Sequence, residues 1–286
     1  DEPHDVMFTV SVEGRHPRAA WGEEYPSETG VPFDYRILPD QMRLVILATD
    51  GTRIGEIRDL DYWPINEEHT EFQFVGQLPA EAIAYINAHT DKPNYRFMVL
   101  ANCGDNATGE EYITYSHTQL DPSKENSSIP MWGVKQADML PLYLRGNLDI
   151  GEISLLRAAA KVEVKLSKEL KDKGTTKINS ATLKYYNQTG YVLPSGYSQV
   201  TTTKSLDQED CVRVYRHAAL NMPFVVDNEG DKCYIYVTEY DNVSYPGERN
   251  KISLEFNMGG KIKYFEDAIS FCHYSNGSPI DGSHYN

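Results

Sequence analysis

Hydrophobic residues recur along this chain mainly with a period of two. In "VMFTVSV" (6–12), Val6, Phe8, Val10 and Val12 fall on one side, with Thr9 and Ser11 on the other. That is the pattern of a half-buried strand. "MRLVILAT" (42–49) and "YRFMVLAN" (95–102) are apolar on both sides, as strands at the centre of a sandwich are, and "EFQFV" (71–75) alternates again. Between them "PAEAIAYINAH" (79–89) predicts the one substantial helix. Proline stands near its start, Glu81 in its first turn, and Ile83 and Ile86 on one side. The segment 119–130, "QLDPSKENSSIP", is polar and turn-rich and predicts an exposed loop.

Beyond residue 160 the strand pattern resumes in "KVEVKL", "ATLKYYN", "VRVYRH", "CYIYVTEY", "KISLEFN" and "KIKYFED". Gly, Asn and Asp turns separate these strands at a spacing of roughly ten residues, which argues for a β-sandwich. The joint between the halves is "SLLRAAAKVEVKL" (154–166), which opens with a helix-like run and ends in strict alternation. Small alanines at a joint, where a flexible linker would be Gly/Ser-rich, predict a stiff connection. The expected organisation is all-β: one sandwich over residues 1–158 with a helix inserted, and a second over 159–286.

Length agrees with two domains, because 286 residues exceed the ~250 at which a single core stops growing. Hydrophobic residues make up 40% and charged residues 24% of the chain, an ordinary globular balance. The longest apolar runs have strand length, short of the roughly 20 residues a spanning helix needs. A net charge of −15 repels phosphate backbones and excludes nucleic acid as the expected partner. The basic cluster Lys165–Lys177 is interleaved with Glu169 and Asp172 and reads as a solvated turn.

Candidate chemistry is sparse. The G-x-S-x-G, H-E-x-x-H, phosphate-loop and dinucleotide motifs are missing from the sequence. The eight histidines are scattered, most of them, His117 included, in polar, loop-like contexts. Asp59 and Asp61 form one D-x-D without further spaced carboxylates, the pattern of a solvated turn more than of a glycosidase pair or a calcium loop. Cys103, Cys211, Cys233 and Cys272 lack C-x-x-C spacing, which argues against zinc. A Cys211–Cys233 bridge and four buried thiols both remain open. Asn106, Asn126, Asn187, Asn242 and Asn276 stand in N-x-S/T triplets. Neither a catalytic residue, a cofactor nor a metal is expected. Twenty tyrosines with Trp21, Trp63 and Trp132 leave a surface glycan-binding platform as a second functional reading.

Two stretches, "SSIPMWG" (127–133) and "LLRAAAKVEVKL" (155–166), resemble the fimbrillin family of type V pili, the fimbriae of anaerobic oral and gut bacteria. "RAAWG", "LVILATDGTRIGEI", "YRFMVLANCG" and "NQTGYVLPSGY" agree with it in family order, so the resemblance spans nearly the whole chain. It implies two transthyretin-like Greek-key β-sandwiches in a structural or adhesive subunit without enzymatic activity. It also implies an exported lipoprotein precursor, held at the outer membrane only through its lipid. An arginine-specific protease then trims the N-terminus, and subunits join by strand exchange. The partners so implied are other fimbrial subunits and a receptor on a host or bacterial surface. On this sequence the displaced strand would be Val6, Phe8, Val10 and Val12. The cut would fall between Arg18 and Ala19, or secondarily after Arg15, in the polar, proline-containing "EGRHPRAAWG". The opening "DEPHDVMF" carries no leader and is read as an exported chain already processed. Family members usually continue past the "HYN" of 284–286 with an Arg-Asn-x-x-Tyr strand and further donor strands; this chain stops at Asn286, which leaves shaft, anchor and tip roles open.

Overall fold

A computed structural model describes residues 4–12, 32–67, 69–92, 94–104, 114–138, 147–203, 218–242, 246–270, 273–275 and 278–280. Its chain is all-β and divides into two compact units, with Ala158 in the first and Ala159 in the second. Two segments depart from chain order: Ser116–Asp121 groups with the second unit and residues 192–203 with the first.

The first unit holds β1 (Asp5–Val12), β2 (Arg43–Leu47), β3 (Arg53–Ile57), β4 (Asp61–Pro64), β5 (Glu71–Gln77), α1 (Ala80–Ala88) and β6 (Asn94–Ala101). After β7 (Thr114–Ser116) come β8 (Met131–Asp138) and β9 (Leu148–Arg157). Eight strands hydrogen-bond in the order β3-β2-β6-β8-β9-β1-β5-β4. The strand β9 turns this run into two layers. Its residues from Leu148 to Leu155 pair with β1, whereas Leu156 and Arg157 pair with Trp132 and Met131 of β8. A strand that changes partners in this way makes the corner of a sandwich. The layers approach closely at Gly76 of β5, where a Cβ would lie 2.7 Å from both Ile57 and Leu60 side chains.

The two runs that are apolar on both faces became neighbours, β2 and β6, with Leu44, Ile46, Phe97, Met98 and Leu100 at zero exposure. The helix α1 lies within the predicted span, but its inward pair is Ala82 and Ile86, four residues apart, while Ile83 is half-buried. Residues 154–160 are not helical: β9 runs to Arg157 and β10 (Ala159–Lys165) begins two residues later. Ser154, Leu155 and Leu156 are all buried, and pairing with two strands outweighs the small helical preference of an alanine-rich run. The loop expected over 119–130 is exposed only in part, since Ser127, Ser128 and Ile129 are buried.

In the second unit β10 is followed by α2 (Lys168–Lys173), β11 (Thr176–Lys184), β12 (Tyr186–Asn187), β13 (Thr189–Tyr191), β14 (Ala218–Ala219), β15 (Met222–Pro223) and β16 (Val225–Val226). The last elements are β17 (Lys232–Thr238), β18 (Lys251–Met258), β19 (Lys261–Ser270), β20 (His273–Ser275) and β21 (Ser278–Ile280). The sheets β10-β17-β16 and β15-β11-β18-β19 enclose Ile178, Leu183, Phe224, Ile235, Val237, Ile252 and Leu254. Residues 222–226 run from one sheet into the other and close one lateral side. The basic cluster, expected as a solvated turn, contains α2. Ser167 caps it by accepting from the Leu170 N–H at 3.4 Å, Gly174 ends it at φ 64°, and the pairs Lys168–Asp172 and Lys173–Glu169 flank it at 2.5 Å. Cys103 and Cys233 are free thiols, and burial pushes both up to about 12. The Cys211–Cys233 bridge is therefore not formed; Cys211 and Cys272 lie outside the described residues, as does the expected strand "VRVYRH".

Candidate functional site

The first strand occupies an interior place in its sheet. It runs antiparallel to β5, with Val6 opposite Gly76, Phe8 opposite Phe74 and Val10 opposite Phe72. On its other side it runs parallel to β9, with Val10 opposite Ile153 and Val12 opposite Leu155. Alternation sends Val6, Phe8, Val10 and Val12 inward, where the first three have no exposure and Val12 has 7%. The Phe8 and Phe74 rings stack at 5.4 Å and 15°. Phe72, Phe74 and Tyr62 continue this aromatic wall at centroid distances of 6.0–6.3 Å.

Parallel pairing with β9 is irregular at one point. The register shifts between Met7 and Phe8, opposite Gly151, which sits at φ 75°. Only glycine adopts that backbone without strain, so the bulge that lets β9 follow β1 depends on it. The outer face, Asp5, Met7, Thr9 and Ser11, is half-buried, and on it Ser11 Oγ donates to Glu152 Oε1 at 2.6 Å. At the start of the strand the His4 carbonyl accepts from the Leu78 N–H at 2.9 Å. What β1 fills is thus a slot between two strands, floored by Phe72, Phe74, Ile153 and Leu155. Emptying it would strand two rows of main-chain donors and acceptors. The arginines and alanine of the expected cut, Arg15, Arg18 and Ala19, lie outside the described residues.

The other candidates separate. Asp59 and Asp61 are exposed. Among the described residues, no three His, Cys, Asp or Glu side chains come close enough to hold a metal. Trp132 is buried at 3% exposure, and Trp63 is exposed at 43%. Trp63 and Tyr62 are adjacent on β4 and therefore face opposite sides of the sheet; Trp21 lies outside the described residues. Of the N-x-S/T asparagines, Asn187 and Asn242 are buried and Asn126 is exposed, while Asn106 and Asn276 lie outside the described residues.

One histidine differs from expectation. His117 is half-buried in the second unit, its Nε2 donating to the Tyr236 carbonyl at 3.0 Å and its ring edge-on to Tyr186. Burial pulls its pKa below 6.5, against the opposing pull of that carbonyl and of Asp121. A depressed folded pKa means the unfolded chain binds the proton more readily. The contribution of the neutral ring is therefore complete above pH 6.5 and is lost as pH falls toward the lower folded value. Thermal melts between pH 8 and pH 5 should show a steeper decline for the native chain than for His117→Gln; equal slopes would exclude this role.

The residues that complete the slot escape a local reading. Phe72 and Phe74 are marked by alternation, but nothing near Gly151 signals a partner some 140 positions away. No family model and no curated protein matches the chain. Its fold is similar to that of a solved tip fimbrial protein, Mfa3 from Porphyromonas gingivalis with a C-terminal truncation. The TM-score is 0.52 and the identity 12%, over 96% of this chain and 84% of that one. A fimbrial assembly protein from Parabacteroides distasonis aligns over 98% of this chain and 89% of its own, at TM-score 0.47 and 13% identity.

Proposed function

We propose that this protein is a non-enzymatic, structural and adhesive subunit of cell-surface fimbriae, joined to other fimbrial subunits by strand exchange once β1 has been removed. The observation that carries this reading is the slot around β1: a strand near one end of the chain, interior to its sheet, with Val6, Phe8, Val10 and Val12 buried. The shared fold with a tip fimbrial protein supports it. Losing β1 would expose the facing edges of β5 and β9 together with the aromatic floor. An incoming strand with the same alternation restores both the ladders and the burial. In this reading the protein works at the outer surface after export as a lipid-anchored precursor and needs no cofactor.

Cleavage between Arg18 and Ala19, or failing that after Arg15, would sever β1 from the rest of its unit. The test is limited digestion of the folded chain with an arginine-specific protease, followed by intact-mass analysis and size exclusion. A resistant product beginning at Ala19 that oligomerises on losing residues 1–18 is expected. A synthetic DVMFTVSV peptide should return it to monomer. First cuts elsewhere, or a trimmed product that stays monomeric and ignores the peptide, would overturn the proposal.

A further inference from the structure

Most sheet edges in this chain are short or covered. β4 is four residues long and ends in Pro64, β3 has five residues, and β15 and β16 have two each. On β10 every residue but Lys165 is buried or half-buried. Shortness, proline and cover are the usual guards of an edge. β19 has none of them. It runs for ten residues without proline at the end of the order β15-β11-β18-β19, and among the described residues no strand lies beyond it. Every residue of it is exposed except Asp267, which is half-buried.

The apolar side chains of β19 point both ways. Phe265 and Ile269 lie opposite Leu254 and Ile252 of β18, which are buried in the core. Cross-strand partners share a face, so Phe265 and Ile269 belong to the core face, yet they are 45% and 38% exposed. The opposing sheet has three strands against four here and leaves that margin open. Ile262 and Tyr264 stand on the other face at 56% and 62% exposure. With Met258 at the end of β18, five of the ten large hydrophobic side chains exposed among the described residues gather here, the mark of a contact surface.

Charge along the strand is ordered. Lys261 and Lys263 stand at its start, with Glu266 and Asp267 beyond the aromatic centre, so the strand is neutral in a chain of −15. Asp267 is engaged by Lys251 at 3.2 Å and Lys184 at 3.7 Å. Lys261, Lys263 and Glu266 are exposed and lack an ion-pair partner among the described residues. Two such strands laid antiparallel bring the lysines of each beside Glu266 of the other, with Tyr264 and Phe265 of both near a two-fold axis. Laid parallel, they would set like charges side by side. The strand is therefore complementary to itself in one direction, and its neutrality lowers the repulsion between two acidic chains at this place.

We infer that β19 is an interface between two copies of this chain, paired edge to edge and antiparallel about a two-fold axis. The pairing joins two four-stranded sheets into one of eight and brings Phe265 of each copy within reach of the other on the open core face. One added ladder is a small interface, so the association is weak, with a Kd on the order of 100 µM. This surface is separate from the slot around β1 and does not rest on strand exchange.

Sedimentation velocity of the full chain, with β1 in place, tests it between about 5 and about 500 µM. The average mass should rise from 32.4 kDa toward twice that value, and hydrogen exchange over 261–265 should slow as concentration rises. One variant carries Lys261→Glu with Lys263→Glu and another carries Glu266→Lys; each should associate about tenfold more weakly. Mixed in equal amounts they should pair again, because the acidic strand of one then faces the basic strand of the other. All three side chains are exposed, and thermal melts check that both variants fold. Excess DVMFTVSV peptide, which competes only for the slot, should change nothing. A monomer mass at every concentration, a mixture no tighter than its components, or dissociation by the peptide would overturn the inference. So would protection of 261–265 already complete at the lowest concentration, since residues of the same chain would then cover the edge.

Discussion

Phe8→Ala is expected to lower the unfolding free energy of the first unit by about 3–5 kcal/mol, the usual cost of removing a buried phenylalanine. Phe8 has no exposed surface and stacks on Phe74 from the interior of the sheet. The neighbouring strands β5 and β9 are both hydrogen-bonded to β1, so the cavity cannot collapse without disturbing two ladders at once. Thr9→Ala on the half-buried outer face should cost far less, about 0.5 kcal/mol or below. Urea unfolding of the two variants, followed by intrinsic fluorescence, measures the difference. Similar midpoints would mean that β1 contributes little to the fold. Stabilities of 5–15 kcal/mol are typical of domains, so the Phe8 variant should already be prone to self-association. That is the behaviour expected of a sandwich whose first strand is loosened.

Asn102→Ala is expected to have a comparable effect through a different cause. Asn102 follows β6 at φ 61° and is fully buried. Its Oδ1 accepts from the Leu38 N–H, and its Nδ2 donates to the carbonyls of Arg36 and Ile129, all at 2.8 Å. One side chain thus satisfies three main-chain groups from two loops. Each such group left buried without a partner costs about 1–3 kcal/mol. Alanine in a left-handed conformation adds about 1 kcal/mol, giving a total of about 4 kcal/mol or more. Asn102→Gly should recover only the conformational part. Asn102→Asp should recover no net stability: it keeps an acceptor for the Leu38 N–H, but its buried carboxylate cannot donate and is set against the two carbonyl oxygens. Thermal unfolding of the three variants at pH 7 ranks them, and an alanine variant as stable as the glycine variant would show that the backbone angle is not strained.

The alternation of small windows determined most of the strands. Val6 to Val12, the two apolar runs that became β2 and β6, and the runs of the second half that became β10, β11, β17, β18 and β19 are legible because side-chain direction in a strand is a local property of period two. The caps of α2 are equally present in the sequence, with Ser167 before the helix and Gly174 after it, although the charge pattern alone predicts a turn. Tertiary structure decided what no window contains. The run 154–160 is strand because β1 and β8 claim Ser154 to Leu156 from either side. Ser127 and Ile129 are held in because Arg36 and Asn102 bind their carbonyls. Above all, the place of β1 between β5 and β9 depends on pairing with residues some 140 positions away and on the glycine bulge at Gly151. A strand's own residues fix which face is apolar. Its neighbours, and so whether it is an edge or the centre of a slot, are fixed by contacts that exist only after the chain has folded.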